Sequence, residues 1–362
     1  MNLIITQPNL RRALHVVERI VSKSVSLPIL STVLLKTENG RLRLSATNLE
    51  MGINYWINAK INKDGEITVP ARIFSDFISN VNDEKVELKS EKNVMAIDSE
   101  HYKTKILGME SKDFPLIPRS KGNSHFKINN FALKEALLSV LDAASLSDTR
   151  PEISGVFVKV AQNKAEFAAT DSFRLAEKII DLAGAVEKSL ILPRNTALEL
   201  VRLSEENDGD LAIVIDDNQI FVLGGDFEFV SRLIDGHYPE YKRVIPEKFI
   251  SLAKVNRGEF ERKIRLASIF SSAIADIRLS ASEAGMEIKA KNADRGEIVV
   301  RLPCQVKDEQ FELSVNYHYL LDGLKIIPTE NVLIQFTGEG SPLVLRAEDK
   351  RDQNYVIMPL RS

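Results

Sequence analysis

Three stretches of the chain, TVPARIFSDFISNV (68–81), ILPRNTALELVRLS (191–204) and SVNYHYLLDGLKII (314–327), begin at a constant step of 123 residues. In the first, Pro70 is followed by apolar residues at Ile73, Phe74, Phe77, Ile78 and Val81. In the third, Asn316 stands at the proline's place, and Tyr319, Leu320, Gly323, Leu324 and Ile327 fall at the same offsets. The second, behind Pro193, keeps Ala197, Leu200 and Val201. Recurrence at three and four residues predicts an amphipathic helix. A proline suits its start, because its missing N–H would be unpaired in the first turn.

Working outward, a second helical pattern repeats. Leu10, Ala13, Leu14, Val17 and Val21 are matched 123 residues later by Leu133, Ala136, Leu137, Val140 and Ala144. A looser third copy, EFERKIRLASIFSS (259–272), has Phe260, Ile264, Ala267 and Phe270. Between the two helices of each copy lies a strand pair: STVLLKTENGRLRLSATNLE (31–50), SGVFVKVAQNKAEFAATDSF (154–173) and ADIRLSASEAGMEIKAKNAD (275–294). Turn residues divide each pair at Asn39-Gly40, Gln162-Asn163 and Ala284-Gly285, which predicts hairpins. Further strand pairs follow the second helix, at 85–99, 210–224 and 331–348. The chain therefore reads as an α+β protein of three similar domains, each with two helices and antiparallel sheets. Proline-bearing links at 113–124 and 237–248 place the domains at 1–122, 123–246 and 247–362.

Composition narrows the function. A net charge of -3 over 362 residues argues against a generally basic nucleic-acid coat, though not against a local basic patch. The lone Cys304 excludes an internal disulfide and suits a reducing compartment. The N-terminal stretch MNLIITQPNLRRALHVV lacks the pattern of a signal peptide, and no apolar run is long enough to span a membrane. Neither phosphate-binding glycine motif occurs, and Gly224-Gly225-Asp226 and Gly338-Glu339-Gly340 read as turns. His15, His101, His125, His237 and His318 show no metal-ligand spacing. No strand–serine–helix elbow surrounds Asp171-Ser172, so a hydrolase reading fails there. No enzyme activity, catalytic residue, cofactor or metal is expected. A triplicated unit without a catalytic signature points to a symmetric assembly.

LPILSTVLL (27–35), LSATNLEM (44–51), EFAATDSFRLAEK (166–178), FVSRLIDGHYPEYKRVIP (229–246) and YVIMPLR (355–361) resemble, in order and along the whole chain, the β sliding clamps of bacterial DNA polymerase III. The resemblance implies a head-to-tail homodimer, in which two chains of three domains close a six-domain ring around duplex DNA. It implies a processivity factor that tethers the polymerase α subunit, the clamp loader and other polymerases and repair proteins, in the bacterial cytoplasm at the nucleoid. The dimer joint would use Ile269 and Phe270 on one side, Thr104 and Ile106 on the other. Cations on the inner wall would meet the DNA backbone without reading sequence. Those favoured are Lys23, Arg72, Arg150, Arg194, Arg11 and Arg12, with Arg19, Lys134, Arg262, Lys263 and Arg265 as further candidates. Ser24 and Ser147 stand where relatives can carry arginine and glutamine, which would weaken loop contacts.

The resemblance also bears on the apolar C-terminus, NYVIMPLRS (354–362), since a free tail is normally polar. In the family, the last residues line a hydrophobic groove for short peptide motifs. Here that groove would take Ile153, Thr170, Ser172, Phe173, Arg174 and Leu175 from the second domain. Pro239, Arg243 and Val244 would come from the link. Pro342, Val344, Val356, Ile357, Met358, Pro359, Leu360 and Arg361 would come from the third domain. Arg174, Arg243 and Arg361 would fix peptide carbonyls or carboxylates at the rim. Strand alternation would point Val356 and Met358 one way and Ile357 the other. Phe173 replaces a common histidine, which would reshape one subsite. The competing reading is a DNA-independent interaction scaffold of the same triplicated fold, whose inner wall would lack positive charge.

Overall fold

The computed structural model describes residues 1–22, 27–147, 149–184 and 186–360. The helices, in chain order, are α1 (Gln7–Glu18), α2 (Ala71–Asn80), α3 (Asn130–Val140), α4 (Arg194–Glu206), α5 (Arg257–Ser268) and α6 (Tyr317–Ile326). Among the described residues, no helix is long and apolar enough to cross a membrane.

The chain divides into two compact units. The first comprises Met1–Asn130 and Leu203–Leu233. It holds a five-stranded sheet in the order Lys60–Lys63, Asn2–Thr6, Lys85–Glu91, Val94–Asp98, Lys103–Leu107. It also holds an eight-stranded sheet in the order Phe126–Asn129, Asp210–Asp216, Gln219–Leu223, Phe227–Arg232, Met51–Asn58, Arg41–Thr47, Thr32–Glu38, Glu66–Pro70. The hairpin turn at Asn39 and Gly40 has φ of 51° and 75°, the left-handed pair that matches strand twist. Helix α1 buries Leu10, Ala13, Leu14 and Val17, as its periodicity predicts. It packs on α2, where the Gln7 side-chain amide donates to the Ile78 carbonyl at 2.7 Å.

Helix α2 buries Ala71, Phe74, Ser75 and Ile78. Ile73, expected on that face, is 58% exposed. One residue of helical rotation separates it from Phe74, and a ten-residue helix presents only a narrow seam.

The second unit comprises Phe131–Arg202 and Ile234–Ser362. Its nine-stranded antiparallel sheet runs Lys188–Pro193, Gly155–Ala161, Lys164–Thr170, Arg174–Asp181, Gln353–Ile357, Leu343–Ala347, Asn331–Phe336, Ser251–Asn256, Gln305–Asp308. A four-stranded sheet runs Gly296–Leu302, Gly285–Asn292, Asp276–Ser282, Phe311–Asn316. Asn256 and Asn316 cap α5 and α6, accepting from the backbone N–H of Glu259 at 3.0 Å and of His318 at 2.9 Å. Helix α6 carries Gly323 where the first copy has Phe77. A Cβ there would meet the Tyr355 ring at 2.6 Å, so the missing side chain is what lets the helix close on the sheet.

The middle copy supplies strands to both large sheets. Phe227–Arg232 pairs with Met51–Asn58, from Phe227↔Tyr55 to Ser231↔Met51. Arg174–Asp181 pairs with Gln353–Ile357, from Arg174↔Ile357 to Lys178↔Gln353. The sheets are thus continuous where the sequence repeats end.

Candidate functional site

The C-terminal strand Gln353–Ile357 is held between Arg174–Asp181 and Leu343–Ala347. Beyond it the chain stays pinned. The Met358 N–H donates to the Phe173 carbonyl and the Leu360 N–H to that of Ser314, both at 2.8 Å. Beside this segment lies a cleft of about 200 Å³, lined by Ile153, Thr170, Ser172, Leu175, Pro239, Val244, Val356 and Met358 among others. Beneath and beside it packs an apolar cluster of Ala168, Leu175, Tyr241, Val344 and Val356. Val356 and Met358 face the cleft while Ile357 is fully buried, as alternation requires. Val344 lies beneath the surface, while Pro342, Pro359 and Leu360 are half-buried outside the lining. Arg361 lies outside the described residues.

The segment Asp171-Ser172-Phe173 forms a tight turn. The Asp171 carboxylate accepts from the backbone N–H of Phe173 and Arg174, each at 3.0 Å, and Ser172 adopts φ 78°. Thr170 Oγ1 donates to the Arg174 carbonyl at 2.6 Å and accepts from the Ser172 N–H at 3.1 Å. This turn thrusts Phe173 outward, 61% exposed, at the margin of the cleft and outside its lining.

Arg174 lines the cleft and is tied to neighbouring side chains. Its Nε donates to Asp171 at 3.0 Å, its Nη1 bonds Asp322, and its guanidinium lies 4.7 Å from the Tyr319 ring centre. Burial opposes its charge, but Tyr355, Asp322 and Asp171 hold it protonated more firmly than usual. With its Nε and Nη1 so engaged, the guanidinium braces the wall that it lines. Arg243 stays exposed and pairs with Glu240 at its own surface.

Three lining residues escape the groove expectation: Arg150, Glu240 and Tyr241. Arg150, assigned by resemblance to the DNA side, borders the cleft, donating to Glu152 at 3.1 Å and Ser172 Oγ at 3.4 Å. Tyr241 sits in the YPEYKRVIP segment among other aromatics. Its ring centre is 6.0 Å from Phe157 and 6.2 Å from Tyr238, edge-on to both. Burial and then the charge of Glu177 push its hydroxyl far above the ordinary tyrosine range, so it acts only as a neutral phenol. The aromatic run of that segment was the available signal; its inward direction was not.

Among the proposed DNA contacts, Arg11 and Arg12 share an open polar hollow of about 480 Å³ with Gln7, Pro8, His15 and Ser79. Arg12 is also tied to the end of α4, its Nη2 donating to the Glu206 carbonyl at 2.6 Å and its Nε lying 3.4 Å from that carboxylate. Arg19 approaches the same carboxylate at 4.0 Å. Arg72 is exposed and pairs loosely with Asp76 at 3.8 Å. Arg194 and Lys134 are half-buried on α4 and α3, and Lys263 is half-buried on α5. Also on α5, Arg262 is exposed and Arg265 bridges to Glu261 at 2.8 Å. Lys23 and Ser24 lie outside the described residues.

The joint residues separate by exposure. Ile269 is exposed at the end of α5 and Phe270 half-buried beside it. Thr104 is half-buried on the outermost strand of its sheet. Ile106 is only 6% exposed and packs inward. Its neighbour Leu107 alternates outward and is 74% exposed.

Three family models match in order: the DNA polymerase III beta subunit N-terminal domain over residues 1–118, its central domain over 127–240 and its C-terminal domain over 242–361. The beta sliding clamp of Pseudomonas aeruginosa is 29% identical over 366 residues, covering 100% of both chains. That of Synechocystis sp. is 27% identical over 388 residues, covering 100% of this chain and 99% of the relative. The crystal structure of the DNA polymerase III subunit beta from Pseudomonas aeruginosa superimposes with a TM-score of 0.95 at 29% identity, over 100% of both chains. The sliding clamp of Bacillus subtilis gives 0.95 at 25% identity, over 100% of this chain and 99% of that one. With all three domain models in sequence and the same fold over its whole length, the chain belongs to the DNA polymerase III beta subunit family, the bacterial beta sliding clamps.

Proposed function

We propose that this clamp, a DNA polymerase processivity factor, works as a closed homodimeric ring that slides on duplex DNA and carries its partners in the cleft beside Met358. The observation that carries the reading is the ordered run of three beta-subunit domain models from residue 1 to residue 361. The domains are taken as 1–122, 123–246 and 247–362, so that two chains head to tail make a ring of six. Topology alone then keeps the protein on DNA, and strong phosphate contacts would only hinder sliding.

The joint is proposed between two open sheet edges. One is the strand Lys103–Leu107, which ends the five-stranded sheet and exposes Leu107; the other is Gly296–Leu302, which ends the four-stranded sheet and exposes Val299. An unpaired edge with an exposed apolar residue is a template for pairing. Exposed Lys103 and Lys105 on the first complement Glu297 on the second. Ile269, Phe270 and Thr104 belong to this joint.

Arg11, Arg12, Arg72, Arg194 and Lys23 are assigned to the DNA backbone. The cleft is assigned to short apolar peptide segments of the polymerase α subunit, the clamp loader and repair proteins. Met358 supplies a flexible side chain that repacks for different ligands. The protein acts without chemistry of its own, in the cytoplasm where the nucleoid lies. Retention on circular against linearised DNA after loading tests the ring. Slow loss from circles and fast loss from linear molecules is the expected result; equal loss from both would refute topological linkage.

A further inference from the structure

One wall of the cleft is held from behind by a buried carboxylate. Glu177 lies in the strand Arg174–Asp181, directly opposite Asn354 of the C-terminal strand, and is 3% exposed. Its Oε1 accepts from the Tyr241 hydroxyl at 3.0 Å, and its Oε2 accepts from Asn354 Nδ2 at 2.7 Å. Asn354 Oδ1 in turn accepts from Arg346 Nε at 2.6 Å. The Arg346 guanidinium lies 5.3 Å from the centre of the Phe249 ring, and Phe249 packs on the same cluster as Leu175, Tyr241 and Val356.

Every link in this row has a fixed direction. An arginine N–H only donates, so Asn354 turns its oxygen to Arg346 and its amino group to Glu177. A carboxylate only accepts, so Tyr241 donates. The Tyr241 ring also packs edge-on against the stacked pair of Phe157 and Tyr238, whose ring centres are 4.9 Å apart. The ring is thus held at its hydroxyl and along its edge. Burying a carboxylate is costly unless its partners satisfy it, and an apolar side chain would fill the same space without that cost. What the carboxylate adds is orientation.

We infer that Glu177 is a positioning residue for the cleft: by accepting the Tyr241 hydroxyl it fixes the ring that forms one wall, and so shapes the subsite that takes an apolar side chain of a partner peptide. This rests on the reading of the cleft as a peptide site. Glu177 itself does not touch the peptide; it acts through Tyr241.

The test is fluorescence polarisation on the full-length protein, with a fluorescein-labelled pentapeptide ending in leucine and phenylalanine. Glu177→Met keeps length and removes the acceptor; it is expected to weaken binding about tenfold, or about 1.4 kcal/mol. Glu177→Gln keeps a polar link to Tyr241 and is expected to stay within about threefold of the parent, since a neutral hydrogen bond retains most of the anchoring. Tyr241→Phe is expected to weaken binding, and the double variant Glu177→Met/Tyr241→Phe to be no weaker than the worse single one, because both act through one contact. Parental affinity in Glu177→Met, or losses that add in the double variant, would overturn the inference. Should Glu177→Met fail to fold, parental affinity in Tyr241→Phe overturns it alone. A parent protein that does not bind the peptide overturns the peptide-site reading instead, which is a separate outcome.

Discussion

Replacing Gly323 with alanine sets two effects against each other, and the structure decides between them. Gly323 lies inside α6, where alanine is favoured over glycine by about 1 kcal/mol from backbone entropy. Against that, the new Cβ would lie 2.6 Å and 2.8 Å from two atoms of the Tyr355 ring and 2.9 Å from the Leu345 side chain. The ring cannot retreat: it is fully buried, and its hydroxyl is held by Arg174 Nη1 at 3.4 Å. Overpacking a tight site costs about 1–3 kcal/mol, and a ring held this way puts the cost near the upper end. The net expectation for Gly323→Ala is therefore about 1–2 kcal/mol of lost stability. Gly258→Ala is the control, since its Cβ would meet nothing closer than 3.6 Å in α5 and should leave stability equal or improved. Urea unfolding followed by circular dichroism compares both with the parent. Because Tyr355 precedes Val356 on the strand that borders the cleft, Gly323→Ala should also weaken peptide binding. A Gly323→Ala protein as stable as the parent would show that α6 is not closed on the sheet as described.

Further outcomes are expected. Met358→Ala with Leu360→Ala should weaken peptide binding by about 1–3 kcal/mol while leaving the dimer intact, read by polarisation and sedimentation; unchanged affinity would count against the cleft assignment. Leu107→Glu should shift the protein toward monomer in sedimentation, since it puts a charge on the open edge; an unaltered dimer would place the joint elsewhere. His101 Nδ1 lies 2.7 Å from the Asp83 carboxylate, which raises the imidazole's pKa above its ordinary 6.5 and draws Asp83 down to about 2. The histidine's contribution to stability is then full below about pH 6.5 and lost as pH rises through its folded-state value. The aspartate's contribution is present above its ordinary 3.8 and lost as pH falls through about 2. An NMR titration of His101 with a midpoint at or below 6.5 would contradict the pair.

The recurrence of helices and hairpins was legible because it is local. Leu10, Ala13, Leu14 and Val17 recur at the helical period whatever surrounds them, and Asn39-Gly40 names its own turn. The α+β class and the threefold repetition followed from spacing alone. Most of the residues that line the cleft were grouped by the resemblance, because the TDSFRLA turn and the terminal strand are short, contiguous motifs. Arg174 in sequence looks like a free guanidinium, and only the approach of Asp322 and Tyr319 shows that it is also engaged by its neighbours.

What the tertiary structure decided is which distant segments meet. Pairing of Phe227–Arg232 with Met51–Asn58, and of Arg174–Asp181 with Gln353–Ile357, carries no local signature. Each cross-strand contact contributes only about 0.2–1 kcal/mol, and many strands of similar composition compete for it. The choice of Leu107 over Ile106 as the outward residue depends on which sheet face is covered. The joining of Tyr241, Glu177, Asn354 and Arg346 depends on bringing four segments to one buried point. A glutamate in a strand reads as a solvated residue until the fold removes its water. By itself, then, the sequence determined the elements, their turns and their threefold order, since those are set by neighbours along the chain. The wall of the cleft and the open edges were decided only by packing, since burial is a property of the whole sheet.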